Sequence, residues 1–201
     1  MPARSPKDAI DLLKEDHREV EGLFSRFEDA GDTQRVSIAE KICIALTVHA
    51  QVEEELFYPA AKEALEERGV KLVAEAEVEH GSLKQLIAEI DGSSPDDESF
   101  EARLTVLKEY VQHHVREEEE QLMPMVRKTD VDLGELGEEI SELKSKLMEK
   151  MEPKKSASKK KSDRVQLPAA AGRKSSARKT SKRATRRSTP QKKSSRRRMA
   201  S

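Results

Sequence analysis

Four of the five histidines in this 201-residue chain, His17, His49, His80 and His114, fall in apolar runs of helical spacing. Two are followed four residues later by a glutamate, giving His49-x-x-x-Glu53 and His114-x-x-x-Glu118, and each motif has a proline ten residues after its histidine, Pro59 and Pro124. The repeat selects His114 over its neighbour His113 as the counterpart of His49. Residues four apart on a helix share a face, so each motif turns an imidazole and a carboxylate to one side. A carboxylate enclosed among apolar side chains is unfavourable by roughly several kcal/mol unless a cation compensates it. Mixed imidazole and carboxylate donors suit iron, manganese or zinc better than magnesium or calcium, and two carboxylates can bridge two ions. Any one of these histidines alone would more often be a packed core residue. Four in phase on four separate segments, two with the same glutamate offset, point instead to a metal centre with His17, His49, Glu53, His80, His114 and Glu118 as ligands.

Such a centre needs helices to carry it. Ser5 can cap a first helix, with Pro6 at its first position and Asp8 in its first turn; Ile10, Leu13, Val20, Phe24 and Phe27 then form a stripe whose gap His17 fills. A second helix from about Thr33 places Ile38, Ile42, Ala45, Val52 and Leu56 in phase with His49. Pro59 is expected to kink or break it, with helix resuming to about Arg68. A third, from about Val70 to Ile90, aligns Leu72, Ala76, Leu83 and Ile87 with His80. The run Asp91-Gly92-Ser93-Ser94-Pro95 is a loop. A fourth helix from about Asp97 aligns Phe100, Leu104, Leu107, Val111, Leu122 and Met125 with His114 and Glu118, and Pro124 kinks or ends it. A last amphipathic segment after Asp132 carries Leu133, Leu136, Ile140, Leu143 and Leu147. It is expected to pack across the bundle or to mediate association. No segment alternates as a strand does, so the fold class is all-α: an up-down-up-down four-helix bundle with an additional C-terminal helix.

The remaining polar residues read more plainly. His113 is a boundary neighbour, and Glu54, Glu55, Glu117, Glu119 and Glu120 read as a charged outer face, with the alternative that one of them supports a ligand from outside. Cys43 supplies small packing volume. Tyr58 and Tyr110 read as core residues, with Tyr110, four residues before His114, the one placed to reach a ligand.

Charge divides the chain near Pro153. Residues 1–153 hold 19 basic and 38 acidic residues, whereas residues 154–201 hold 19 basic residues and one acid, Asp163. Residues 1–152 are long enough to bury a core. Residues 153–201, rich in Lys, Arg, Ser, Ala and Thr, lack the apolar mass to offset ordering and are expected to be disordered. Clusters such as Lys159-Lys160-Lys161 and Arg196-Arg197-Arg198 suit sequence-independent contact with DNA or another polyanion, and the absence of aromatics in this segment argues against base stacking. A lone cysteine rules out an internal disulfide. With no run of 18 apolar residues and no apolar leader, the chain reads as cytoplasmic, with no integral membrane association.

The order His17, His49-x-x-x-Glu53, His80, His114-x-x-x-Glu118 resembles the hemerythrin-like, or HHE, cation-binding domain over about residues 7 to 130. That resemblance implies a non-haem di-iron centre, two iron ions joined by an oxo or hydroxo bridge, with the four histidines as terminal ligands and Glu53 and Glu118 as bridges. It implies O2, NO or peroxide as the small ligand, to be bound or sensed, or a role in iron handling. Oxygen-carrying members place two histidines four apart on the third helix, where this chain has Ala76, His80 and Lys84. One imidazole is missing, which argues against reversible carriage. Two rival readings are an enzyme that decomposes peroxide or reduces NO, and a nucleoid-associated structural protein; the basic segment weakly resembles histone-like arms.

Overall fold

The computed structural model describes residues 7–151, and every regular element among them is helical. The Ser5–Pro6 start and the basic segment lie outside the described residues. The first rod is α1 (Ala9–Asp29). Its cap is Asp8 rather than Ser5, because the Asp8 carboxylate accepts the Asp11 backbone N–H at 2.9 Å. The second rod joins α2 (Asp32–Val52) through a wide π turn (Glu53–Phe57) to α3 (Tyr58–Ala64). The third is α4 (Glu67–Asp91). The fourth repeats the second, with α5 (Phe100–Glu117), a π turn (Glu118–Leu122) and the short α6 (Met123–Val126). A fifth helix, α7 (Leu133–Met151), follows.

The two prolines neither break nor end their rods. A proline ring collides with the carbonyl four residues earlier and offers no N–H. Here a wide turn immediately precedes each proline, and the Tyr58 and Met123 N–H groups donate five residues back to the Glu53 and Glu118 carbonyls. The extra residue per turn absorbs the proline and shifts the apolar stripe by one. Phe57 and Tyr58 are thus buried in place of Leu56, and Met123 and Val126 in place of Met125. The third rod starts three residues before the expected Val70. Its first turn is closed by Gly69, where a Cβ would lie 2.6 Å from Leu65 Cβ.

Apolar residues form two clusters. One gathers Ile10, Leu13, Val52, Phe57, Val73, Leu122 and Ile140, and the other Phe24, Ile42, Leu46, Leu83, Leu104 and Leu107. The histidines fall between them along each rod, as His17 does between Leu13 and Val20. Helix α7 packs on α1 and α2, in line with the expectation that it packs across the bundle. Gly137 permits that approach, since a Cβ there would stand 2.9 Å from the Ala9 backbone nitrogen. The Asp132 carboxylate caps α7 by accepting the Gly134 and Glu135 N–H groups, each at 3.0 Å.

Candidate metal centre

The bundle brings all six expected residues together. His17, His49, His80, His114 and Glu118 are each at most 6% exposed, and Glu53 is fully buried. The imidazoles meet in pairs by their Nε2 atoms, His17 with His49 at 3.1 Å and His80 with His114 at 3.1 Å. Each carboxylate spans both pairs. Glu53 Oε2 lies 3.2 Å from His49 Nε2 and 3.4 Å from His80 Nε2, and Glu118 Oε2 lies 3.4 Å from His17 Nε2 and 3.6 Å from His114 Nε2. The donor atoms fall into two groups within 4.8 Å, His17, His49, Glu53 and Glu118 in one, Glu53, His80 and His114 in the other. Glu53 belongs to both.

These residues fit a bound cation. Glu53 Oε1 and Glu118 Oε2 are buried with no hydrogen-bond partner, an arrangement that costs several kcal/mol, roughly, unless positive charge supplies the missing contact. Two imidazole nitrogens 3.1 Å apart suit two ligands each about 2.1 Å from one ion. Tyr58, which helical spacing did not place at the site, is a further oxygen there. On a regular helix it would point ~140° away from Glu53, but the π turn swings it inward. Its hydroxyl donates to Glu118 Oε1 at 2.9 Å and lies 3.3 Å from His80 Nε2 and 3.5 Å from Glu53 Oε2. Tyr110 is instead half-exposed.

A second layer of carboxylates faces the outer imidazole nitrogens. Glu119 meets His17 Nδ1 at 2.9 Å, Glu54 meets His80 Nδ1 at 3.0 Å and Glu79 meets His114 Nδ1 at 2.9 Å. Asp16 stands 3.7 Å from His49 Nδ1, an ion-pair rather than a hydrogen-bond distance. Glu54 and Glu119 were expected on the outer face, so this is a correction. A readable signal existed: an acid immediately precedes His17 and His80, and an acid immediately follows Glu53 and Glu118.

The charges reinforce one another. Burial lowers the His114 pKa, but Glu118, Glu79 and Glu53 outweigh it and bring the group up to about 9. Burial likewise opposes, and Glu118, Glu53 and Glu119 override, in raising His17. Burial would raise Glu118, yet His114, His17 and His49 hold it well below the carboxylate range. Burial, then Glu53 and Glu118, push the Tyr58 phenol far above its ordinary value. On one side of the imidazoles lies an apolar pocket of about 10 Å³ bounded by Val20, Leu46, Leu83, Ile87 and Val111.

Fold and donor set together define a helical cation-binding protein. The chain matches the Hemerythrin HHE cation binding domain over residues 8–126 and belongs to that family. A solved relative, an HHE cation binding domain-containing protein from Mycobacterium kansasii, superposes with a TM-score of 0.62 at 26% identity, covering 72% of this chain and 89% of that one. An uncharacterised Mycobacterium tuberculosis protein is 25% identical over 139 residues, 67% of this chain and 83% of the relative. A Nostoc DNA nickase is 30% identical over 118 residues, 58% of this chain, and the match spans only 33% of the nickase.

Proposed function

We propose that the chain holds two non-haem iron ions, one on His17 and His49 and the other on His80 and His114, with Glu53 and Glu118 shared between them, and that it binds or senses O2, NO or peroxide. The observation that carries this reading is the pair of buried, unpartnered carboxylate oxygens, Glu53 Oε1 and Glu118 Oε2, set among four converging imidazole nitrogens. Tyr58, whose hydroxyl lies 3.3 Å from His80 Nε2, would offer an oxygen donor beside the single imidazole of the third rod. Iron held by these residues would supply accessible redox states to a small ligand. The chain's own contribution is to bury the donor set among apolar side chains. The apolar pocket, about 10 Å³, has room for about one water-sized molecule, while an open cleft of about 440 Å³ is lined by His17 together with Arg18, Lys108 and Arg116.

Residues 154–201, with 19 basic residues, support contact with DNA or another polyanion. The Nostoc relative is named for action on DNA; because this chain spans a third of it, no nicking activity is proposed. Elemental analysis of protein purified without added metal tests the centre, with about two irons per chain expected. Near-zero iron after anaerobic reconstitution with ferrous iron would sink the proposal. Spectra under O2, NO and peroxide then test the ligand, and sustained oxygen evolution from peroxide would convert the binding reading into the enzyme reading.

A further inference from the structure

The outer carboxylates are not held alike. Glu54 accepts from Lys84 Nζ at 2.5 Å, and Lys84 follows His80 on α4. Glu119 lies 3.6 Å from Lys14 and 3.7 Å from Arg18, which flank His17 on α1. In both cases cation and imidazole share a helix, so they draw the acid to the same place. Asp16 is anchored differently. Its Oδ1 accepts from Lys144 Nζ on α7, while its Oδ2 faces His49 Nδ1 on α2. Two helices draw on one carboxylate, which stands 3.7 Å from its imidazole where Glu119 and Glu79 stand 2.9 Å from theirs.

The imidazole shows the consequence. His49 Nδ1 is buried with no hydrogen-bond partner, whereas Nδ1 of His17, His80 and His114 each meets a carboxylate. A ring whose outer N–H finds no acceptor is less firmly oriented and a weaker ligand through its other nitrogen. Packing fixes where Lys144 sits. Ile140, Lys144 and Leu147 share a face of α7, and Ile140 and Leu147 are buried in the cluster that holds Ile10 and Leu13 of α1. Gly137 brings that face against the backbone at Ala9. A half-buried lysine within this stripe therefore lands on Asp16.

We propose that Lys144 is a positioning residue that holds Asp16 back from His49, so that the ion on His17 and His49 exchanges more readily than the ion on His80 and His114. The inequality of the two ions rests on the dinuclear reading above. Without the Lys144 amine, His49 Nδ1–H is the donor nearest Asp16 Oδ2. Closing from 3.7 Å to the 2.9 Å found at Glu119 and Glu79 would give the buried carboxylate and the unpartnered N–H each a partner. Helix α7, which bears no inner ligand, thus governs how firmly one of them is held.

The test loads the full chain with Co2+, counts the ions by elemental analysis and follows their release into excess EDTA by stopped-flow absorbance. Wild type should release two ions in two phases, the fast one about tenfold ahead of the slow. Lys144→Met, which keeps the α7 stripe apolar, should slow the fast phase by about tenfold, and Lys144→Arg should match wild type. In an Asp16→Ala background the same Lys144→Met change should have no effect, because no carboxylate is left to free. A fast phase that Lys144→Met leaves unchanged or accelerates overturns the inference. So does slowing that persists in the Asp16→Ala background, or release of two ions in one phase. One ion per chain refutes the dinuclear reading instead; Lys144→Met then upholds the hold on Asp16 if it slows that ion's release and overturns it if it does not.

Discussion

An imidazole that offers Nε2 to a cation must carry its remaining proton on Nδ1, and a carboxylate facing Nδ1 holds both the tautomer and the ring plane. Here those carboxylates run helix to helix in a closed ring, from Asp16 on α1 to His49, from Glu54 to His80, from Glu79 to His114 and from Glu119 back to His17. His17, His80 and His114 are thus oriented by the rod beside them, whereas His49 Nδ1 has only the Asp16 carboxylate at 3.7 Å and no hydrogen bond. Glu54→Gln should lower metal affinity by about 10–100-fold in a chelator competition assay while leaving helical content intact. Unaltered affinity would show that the Glu54 contact does not position His80. Cys43 behaves differently. Burial first, then Asp91, push its thiol up to about 12, so the thiolate is scarce near neutrality. Iodoacetamide at pH 8 should leave it unmodified in the folded chain and label it on unfolding, and rapid labelling of native protein would contradict its burial. The six inner residues were legible because each interrupts an apolar stripe in phase. The outer acids were hidden because a charged residue beside a ligand looks like ordinary solvated surface.

At the scale of elements, the two rods that carry a glutamate ligand depart from the regular period at the same place. The π turns begin at Glu53 and Glu118 and end just before Tyr58 and Met123. A stripe counted at 3.6 residues per turn is reliable up to those glutamates and wrong by one beyond them, which explains why Tyr58 was missed and why Leu56 and Met125 were assigned inward. The repeat is also unequal, because Tyr58 delivers a hydroxyl where Met123 delivers none. Helix ends are tied separately. Arg127, just after α6, donates to Asp8 at 2.8 Å and so pins the end of the fourth rod to the start of α1. Burial raises the Asp8 pKa, but the Asp11 N–H and Arg127 outweigh it and hold it below 3.8. A depressed carboxyl stabilises the fold above its ordinary value and loses that contribution as pH falls through its folded value. Arg127→Met should therefore lower Tm at pH 7, by a contribution within about 1 kcal/mol for so exposed a pair, and the difference should shrink as pH falls through the depressed folded value of Asp8. A difference that persists in acid would assign the effect to lost packing.

Across the described residues, a layer of acids and imidazoles lies between two apolar clusters. Binding a cation in that layer is then coupled to folding, because the unfolded chain offers no assembled donor set. Charge is divided just as sharply along the sequence, with a formal −19 over residues 1–153 and +18 over residues 154–201. A polyanion would be repelled by the first segment and drawn to the second. The near-zero net charge conceals this, and only a segment-by-segment count makes it visible. If residues 154–201 contact DNA through phosphates, the logarithm of the binding constant should fall linearly with the logarithm of salt, by about 0.9 per phosphate neutralised. Replacing Arg196, Arg197 and Arg198 with glutamine should then flatten the slope by up to about 2.7, equally for unrelated DNA sequences, and leave iron content unchanged. Binding retained by a chain ending at residue 153, or a slope that ignores the three arginines, would move the contact to the acidic segment and overturn the assignment.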